Sequence, residues 1–146
     1  MATFSRNVTV NWEGSVLEGK GQVKAGSGAF SLPVTFPQRV GDSNGGTSPE
    51  ELIAAAHATC YAMALNATVG RKGGQISKTD VTATVSADKG EAGIKITTSK
   101  LSVVAHGLTG IPKEQFAEVA REAEGKCPVS NALRGSLQIE LDAKAV

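Results

Sequence analysis

Aromatic side chains are scarce in this chain: they make up 4% of it, with a single Trp and a single Tyr. That is too few for a base-stacking platform that grips single-stranded nucleic acid. A surplus of charge of either sign is also missing, since 15 basic residues stand against 14 acidic ones and leave a net charge of +1. This balance argues against a phosphate-driven nucleic-acid binder and against a basic membrane-surface module. Cysteine occurs only twice, so there is no disulfide framework of the secreted kind, and a cytoplasmic address with free or cycling thiols is expected. The first ten residues lack the basic start and apolar stretch of a secretory signal. No run is expected to approach the ~18 apolar residues of a membrane span.

What is present suits one domain over residues 1–146. At 40% hydrophobic and 20% charged, a chain of this length buries a core without a disulfide or metal staple. Its composition points to a target that is small and uncharged. Val8, Val10 and Trp12 alternate on one face, Val23 and Phe30 fall in later extended pieces, and glycines punctuate them as turns, which predicts a small antiparallel sheet. The breaker-rich stretch from Gly41 to Thr47 reads as a flexible connector, because its Gly45-Gly46 pair lacks the Lys and Ser/Thr of a phosphate-binding loop. Ser48-Pro49-Glu50-Glu51 then predicts a helix start, with Ser48 at the N-cap, Pro49 in the first helical position and Glu51 closing a capping box. The helix is predicted to run to a glycine stop at Gly70-Arg71-Lys72. It is Ala-rich and nearly uncharged, so it is expected to be buried on most of its surface. A hairpin turning at Lys89-Gly90, a helix over Pro112–Glu124, a short helix over Pro128–Leu133 and a closing strand through Leu137, Ile139 and Leu141 complete an α+β reading.

Few residues can carry chemistry. Cys60 lies in the middle of the long helix, and Cys127 precedes Pro128 at the N-cap of the short one, where unpaired amides favour a thiolate. Two inert core cysteines remain an alternative. His57, three residues before Cys60, shares its helix face and suits either a packed core histidine or the base of a Cys60-His57 hydrolase. A zinc site would need a fourth good ligand beside His57, Cys60 and Cys127, so no metal is expected. Arg39 and Glu50, taken alone, read as solvated surface charges.

The stretch Ser48-Pro49-Glu50-Glu51-Leu52-Ile53-Ala54-Ala55-Ala56-His57-Ala58-Thr59-Cys60-Tyr61-Ala62-Met63-Ala64-Leu65 resembles the central helix of the OsmC/Ohr family, the osmotically inducible protein C and organic hydroperoxide resistance proteins. Lys126-Cys127-Pro128-Val129-Ser130-Asn131-Ala132-Leu133 resembles its second cysteine motif, and Trp12-Glu13-Gly14 its beginning. The His57-Ala58 pair is closer to the OsmC branch, while Thr59 and Tyr61 depart from the small residue and Phe common there. The resemblance implies antiparallel sheets wrapped around a buried central helix in an intertwined homodimer. It implies a peroxidase with Cys60 as peroxidatic thiol, Cys127 as resolving thiol, Arg39 as the activating cation and Glu50 as its carboxylate partner. An organic hydroperoxide substrate, a dithiol reductant of lipoyl type and no cofactor follow from the same resemblance. A non-catalytic thiol switch or small-molecule binding protein using the same cysteines is the competing reading.

Helix geometry adds a constraint. Ten residues at 1.5 Å each separate Glu50 from Cys60 by roughly 15 Å along the axis and about 80° around it. No Gly or Pro lies between them to break the helix. A two-fold axis crossing antiparallel central helices would bring Glu50 and Arg39 of one chain to Cys60 of the other, giving a shared active site.

Overall fold

Alternating residues and well-placed caps set the elements of the computed structural model, which describes residues 1–146. The chain divides into two compact units, Met1–Leu52 and Ile53–Val146. In the first, β1 (Val8–Glu13), β2 (Lys20–Ala25) and β3 (Ser31–Val34) form an antiparallel meander in that order. Register pairs Val10 with Val23 and Trp12 with Gly21. Gly21 permits the indole to lie over the strand, because a Cβ there would stand 2.7 Å from the Trp12 ring. Val23 is the one buried hydrophobic residue of this unit, while Val8, Val10 and Trp12 remain exposed. A sheet so thinly covered lacks a core of its own.

A short helix that the sequence reading passed over follows as α1 (Phe36–Val40). Thr35 caps it by accepting the Gln38 N–H at 3.2 Å, and Pro37 sits in its first turn, so Arg39 falls in the last turn. Next, α2 runs unbroken over Pro49–Arg71. Ser48 Oγ accepts the Glu51 N–H at 3.1 Å, as an N-cap should. The Glu51 carboxylate does not close the expected box; it accepts the Thr47 hydroxyl at 2.8 Å. The helix ends at Arg71, within the expected Gly70-Arg71-Lys72 stop, but the glycine that closes it is Gly73. Gly73 takes φ +80°, its N–H reaches Gly70 O, and the Gly74 N–H reaches Val69 O, which is the Schellman arrangement. Gly70 stays helical because glycine is tolerated inside a helix whose neighbours carry it.

In the second unit β4 (Lys78–Gly90) and β5 (Gly93–His106) form a long antiparallel hairpin that turns at Glu91-Ala92, two residues beyond the expected place. After a 3-10 turn at Lys113–Gln115 come α3 (Phe116–Gly125) and α4 (Pro128–Leu133), then β6 (Gln138–Ala145). β6 pairs with β5 in parallel, which corrects the expectation of purely antiparallel sheets. The cause is topological: the chain returns through two helices, and a crossover of that length delivers a parallel strand. The core joins Tyr61, Leu65 and Val69 of α2 to Leu101 and Val103 of β5 and to Phe116, Val119 and Ala123 of α3.

Only one stripe of α2 is buried: His57, Tyr61, Leu65, Thr68 and Val69. Ala55, Ala56, Thr59 and Met63 stay exposed. The expectation of a helix buried on most of its surface therefore fails within one chain, because elements cover it from one side only. By length and composition α2 is also long and apolar enough to cross a bilayer, contrary to the sequence reading; its buried stripe is instead used in packing against β5 and α3.

The two glycines near the end of α2 should respond with opposite signs. Gly70→Ala adds a helix-favouring residue with open space around its Cβ and should stabilise by about 0.5–1 kcal/mol. Gly73→Ala forces an L-residue to positive φ and should destabilise by about 1–2 kcal/mol. Urea midpoints of the two variants check both.

Candidate active site

A cysteine placed directly before a helix-starting proline becomes that helix's N-cap. Cys127 does so with extended backbone (φ −79°, ψ 114°), and its sulfur accepts the Ser130 N–H at 3.4 Å. Its side chain is fully buried. Cys60, on α2, is partly buried against the same core. Cys127 and the Val129 N–H of the first turn of α4 lie near enough to influence its titration. Burial is the largest influence on Cys60 and raises its pKa; the Val129 N–H acts the other way, and Cys127 adds to the rise. Both cysteines are free thiols.

Cys60 opens on a cavity of about 650 Å³ whose lining is mainly apolar, including Met63, Ala64 and Ala67, with Arg71 and Lys126 as its charged members. Tyr61 and Thr59, the two departures from the family pattern, are not part of this lining. Tyr61 is turned into the core, where its hydroxyl donates to Ala120 O at 2.9 Å.

The other two sequence candidates meet each other. Arg39 Nη2 donates to Glu50 Oε1 at 2.7 Å, and its Nε lies 3.1 Å from both carboxylate oxygens. Neither is the free surface charge that its sequence position alone suggested: they pair with each other and are partly buried. The Glu50 carboxylate raises the Arg39 pKa, and the guanidinium lowers that of Glu50, in each case through the hydrogen bond first. A second cavity, of about 300 Å³, lies beside this pair and is lined by Trp12, Val16, Val34 and Phe36.

His57 is fully buried, and both its nitrogens are engaged. Nδ1 lies 2.7 Å from Ser99 Oγ on β5, and Nε2 lies 2.7 Å from Ser130 Oγ on α4. With both nitrogens held by hydroxyls, the ring is not presented to Cys60 as a general base, which removes the geometry of the Cys60-His57 hydrolase reading. Desolvation lowers its pKa, opposed by Glu124, so the ring is neutral, donating at one nitrogen and accepting at the other. Ser99 and Ser130 were missed from the sequence, where nothing marks two isolated serines as partners of a histidine.

Residues 41–142 match the family described as OsmC-like protein. Peroxiredoxin OsmC of Escherichia coli K12 is 38% identical over 145 residues, covering 98% of this chain and 99% of that protein. Organic hydroperoxide resistance protein OhrB of Bacillus subtilis is 26% identical, covering 99% of this chain and all of its own length. Among solved structures, the organic hydroperoxide resistance protein OsmC of Legionella pneumophila superposes with a TM-score of 0.77 at 25% identity, covering 99% of both chains.

The buried, neutral His57 makes stability depend on pH. The unfolded chain binds a proton near the ordinary histidine value and the folded chain only at lower pH, so unfolding free energy falls as pH drops through that window. One group contributes a slope of up to about 1.4 kcal/mol per pH unit. Urea midpoints taken downward from about pH 7.5 to 5 should show this slope in the wild type and lose it in His57→Gln, whatever that variant's absolute stability. A slope unchanged in His57→Gln would assign it to other groups.

Proposed function

Because the chain belongs to the OsmC-like family, we propose that it is a thiol peroxidase reducing organic hydroperoxides and, less well, hydrogen peroxide. One observation carries the reading: two free thiols, Cys60 and Cys127, pack at the same core cluster, and Cys60 lines a mainly apolar cavity. Cys60, as thiolate, attacks the distal peroxide oxygen; the O–O bond breaks and the alcohol leaves with a proton. The resulting sulfenic acid is attacked by the Cys127 thiol, which forms the disulfide and releases water. A dithiol of lipoyl type then reduces the disulfide, in the reducing conditions of the cytoplasm. Arg39 is the activating cation and Glu50 the carboxylate that orients it.

The same reading includes a homodimer with shared sites, in which residues 1–146 act as one OsmC-like domain in each copy. Three features support it. Burial raises the Cys60 pKa, so the thiolate calls for a cation. Glu50 and Cys60 stand ten positions apart on the unbroken α2. The open face of α2 and the exposed Val8, Val10 and Trp12 of β1 are apolar surfaces that a second copy would cover. The raised pKa of Cys60 also favours a second reading, a slow thiol switch; turnover of cumene hydroperoxide with a dithiol separates the two.

Cys60→Ser should abolish hydroperoxide consumption. Cys127→Ser should react once, then stall and accumulate over-oxidised Cys60 by mass spectrometry. The reverse pattern would exchange the two roles.

Co-expression of Cys60→Ser with Arg39→Ala, each inactive alone, tests the shared site. Random assembly leaves one intact centre in every mixed dimer, so about a quarter of wild-type activity should return. Activity no higher than that of the parents, with mixed dimers present, would assign Arg39 to its own chain.

A further inference from the structure

Two pairs of side chains join α2 to α4, and they are in register. His57 and Cys60 stand three residues apart on α2, and Cys127 and Ser130 three apart at the start of α4, so each pair shares a helix face. One rung pairs Cys60 with Cys127, Cys60 being packed against the core cluster that contains Cys127. The other, a turn away, is His57 Nε2 against Ser130 Oγ at 2.7 Å. A third contact, His57 Nδ1 to Ser99 Oγ at 2.7 Å, ties the ring to β5. His57, Ser99 and Ser130 are all fully buried, and a polar cluster withdrawn from water is costly unless every member is satisfied, as here.

We infer that the Ser99–His57–Ser130 bridge is a positioning device for disulfide formation, holding the first turn of α4 so that Cys127 stays aimed at Cys60. The inference rests on the reading of the two cysteines as a reacting pair. Three physical points support it. α4 has six residues, too few to hold its own shape without tertiary support. Disulfide geometry is narrow: the sulfurs must close to about 2 Å with a torsion near ~90°. Finally, Ser130 acts on Cys127 directly, since its N–H is bound to that sulfur. As Cys127 turns towards Cys60 this amide bond weakens, and the Ser130 hydroxyl keeps the turn anchored through His57. The step itself is balanced: sulfenic acid and thiol give disulfide and water, the thiol proton leaving with the sulfenic oxygen. His57 and Ser130 touch no substrate atom in this scheme; they act through Cys127.

An aromatic disulfide reagent that releases a coloured thiolate separates the two steps in one trace and needs no hydroperoxide. The first release reports attack by Cys60, and the second reports attack by Cys127 on the mixed disulfide. In Ser130→Ala and in His57→Gln the second rate divided by the first should fall about tenfold or more, the cost of a misaimed reacting group. Ser130→Thr, which keeps the hydroxyl, should restore most of the ratio. A general loss of packing would lower stability without moving this ratio. If His57→Gln fails to fold, the two Ser130 variants decide. A ratio within about threefold of wild type in Ser130→Ala, with a native circular dichroism spectrum, overturns the inference. Failure of the peroxidase reading shows separately, as a wild type that forms the disulfide with this reagent yet turns over no cumene hydroperoxide.

Discussion

Partial burial of the Cys60 thiol on α2 sets what the rest of the molecule has to supply. Desolvation outweighs the influence of the Val129 amide and raises the pKa of the thiol. For the proposed chemistry the thiolate needs a cation, and Arg39, the one assigned to it, cannot lose its charge. Its guanidinium is matched by Glu50 through two-pronged contacts. The pairing weakens the field of Arg39 but fixes its direction, so little side-chain freedom remains to be lost when a ligand or an anionic sulfur arrives.

The two faces of α2 divide the work of the molecule. The stripe through His57, Tyr61, Leu65 and Val69 holds β5 and α3 and forms the core. The opposite stripe is made of alanines, Thr59 and the exposed Met63, small side chains that let another backbone come close. Cys60 sits between the two, partly buried. A thiol deeper in the core would be closed to substrate, and one on the open face would lie away from the cluster that holds Cys127.

Local chemistry was legible wherever the residues that cause it are neighbours. Ser48 before Pro49 and Cys127 before Pro128 start helices through contacts three residues long, and both caps appear where the sequence places them. Legibility failed where two local signals competed. Gly70 and Gly73 both resemble a helix stop, and the hydrogen bonds that close on Val69 and Gly70 select the second. The direction of β6 was beyond reach for a different reason, because its alternation of residues is the same in a parallel and in an antiparallel pairing.

The sequence by itself determined the reactive inventory: two thiols, one histidine on the face of Cys60, an arginine ahead of the long helix, a glutamate in its first turn, and the caps that start both cysteine-bearing helices. Tertiary structure alone decided the partners. His57 bonds serines 42 and 73 positions away, and Cys60 packs against the core cluster that holds Cys127. Contacts of that range depend on how α2, β5 and α4 pack, and packing is set by the summed burial of the whole core and not by any residue's neighbours along the chain.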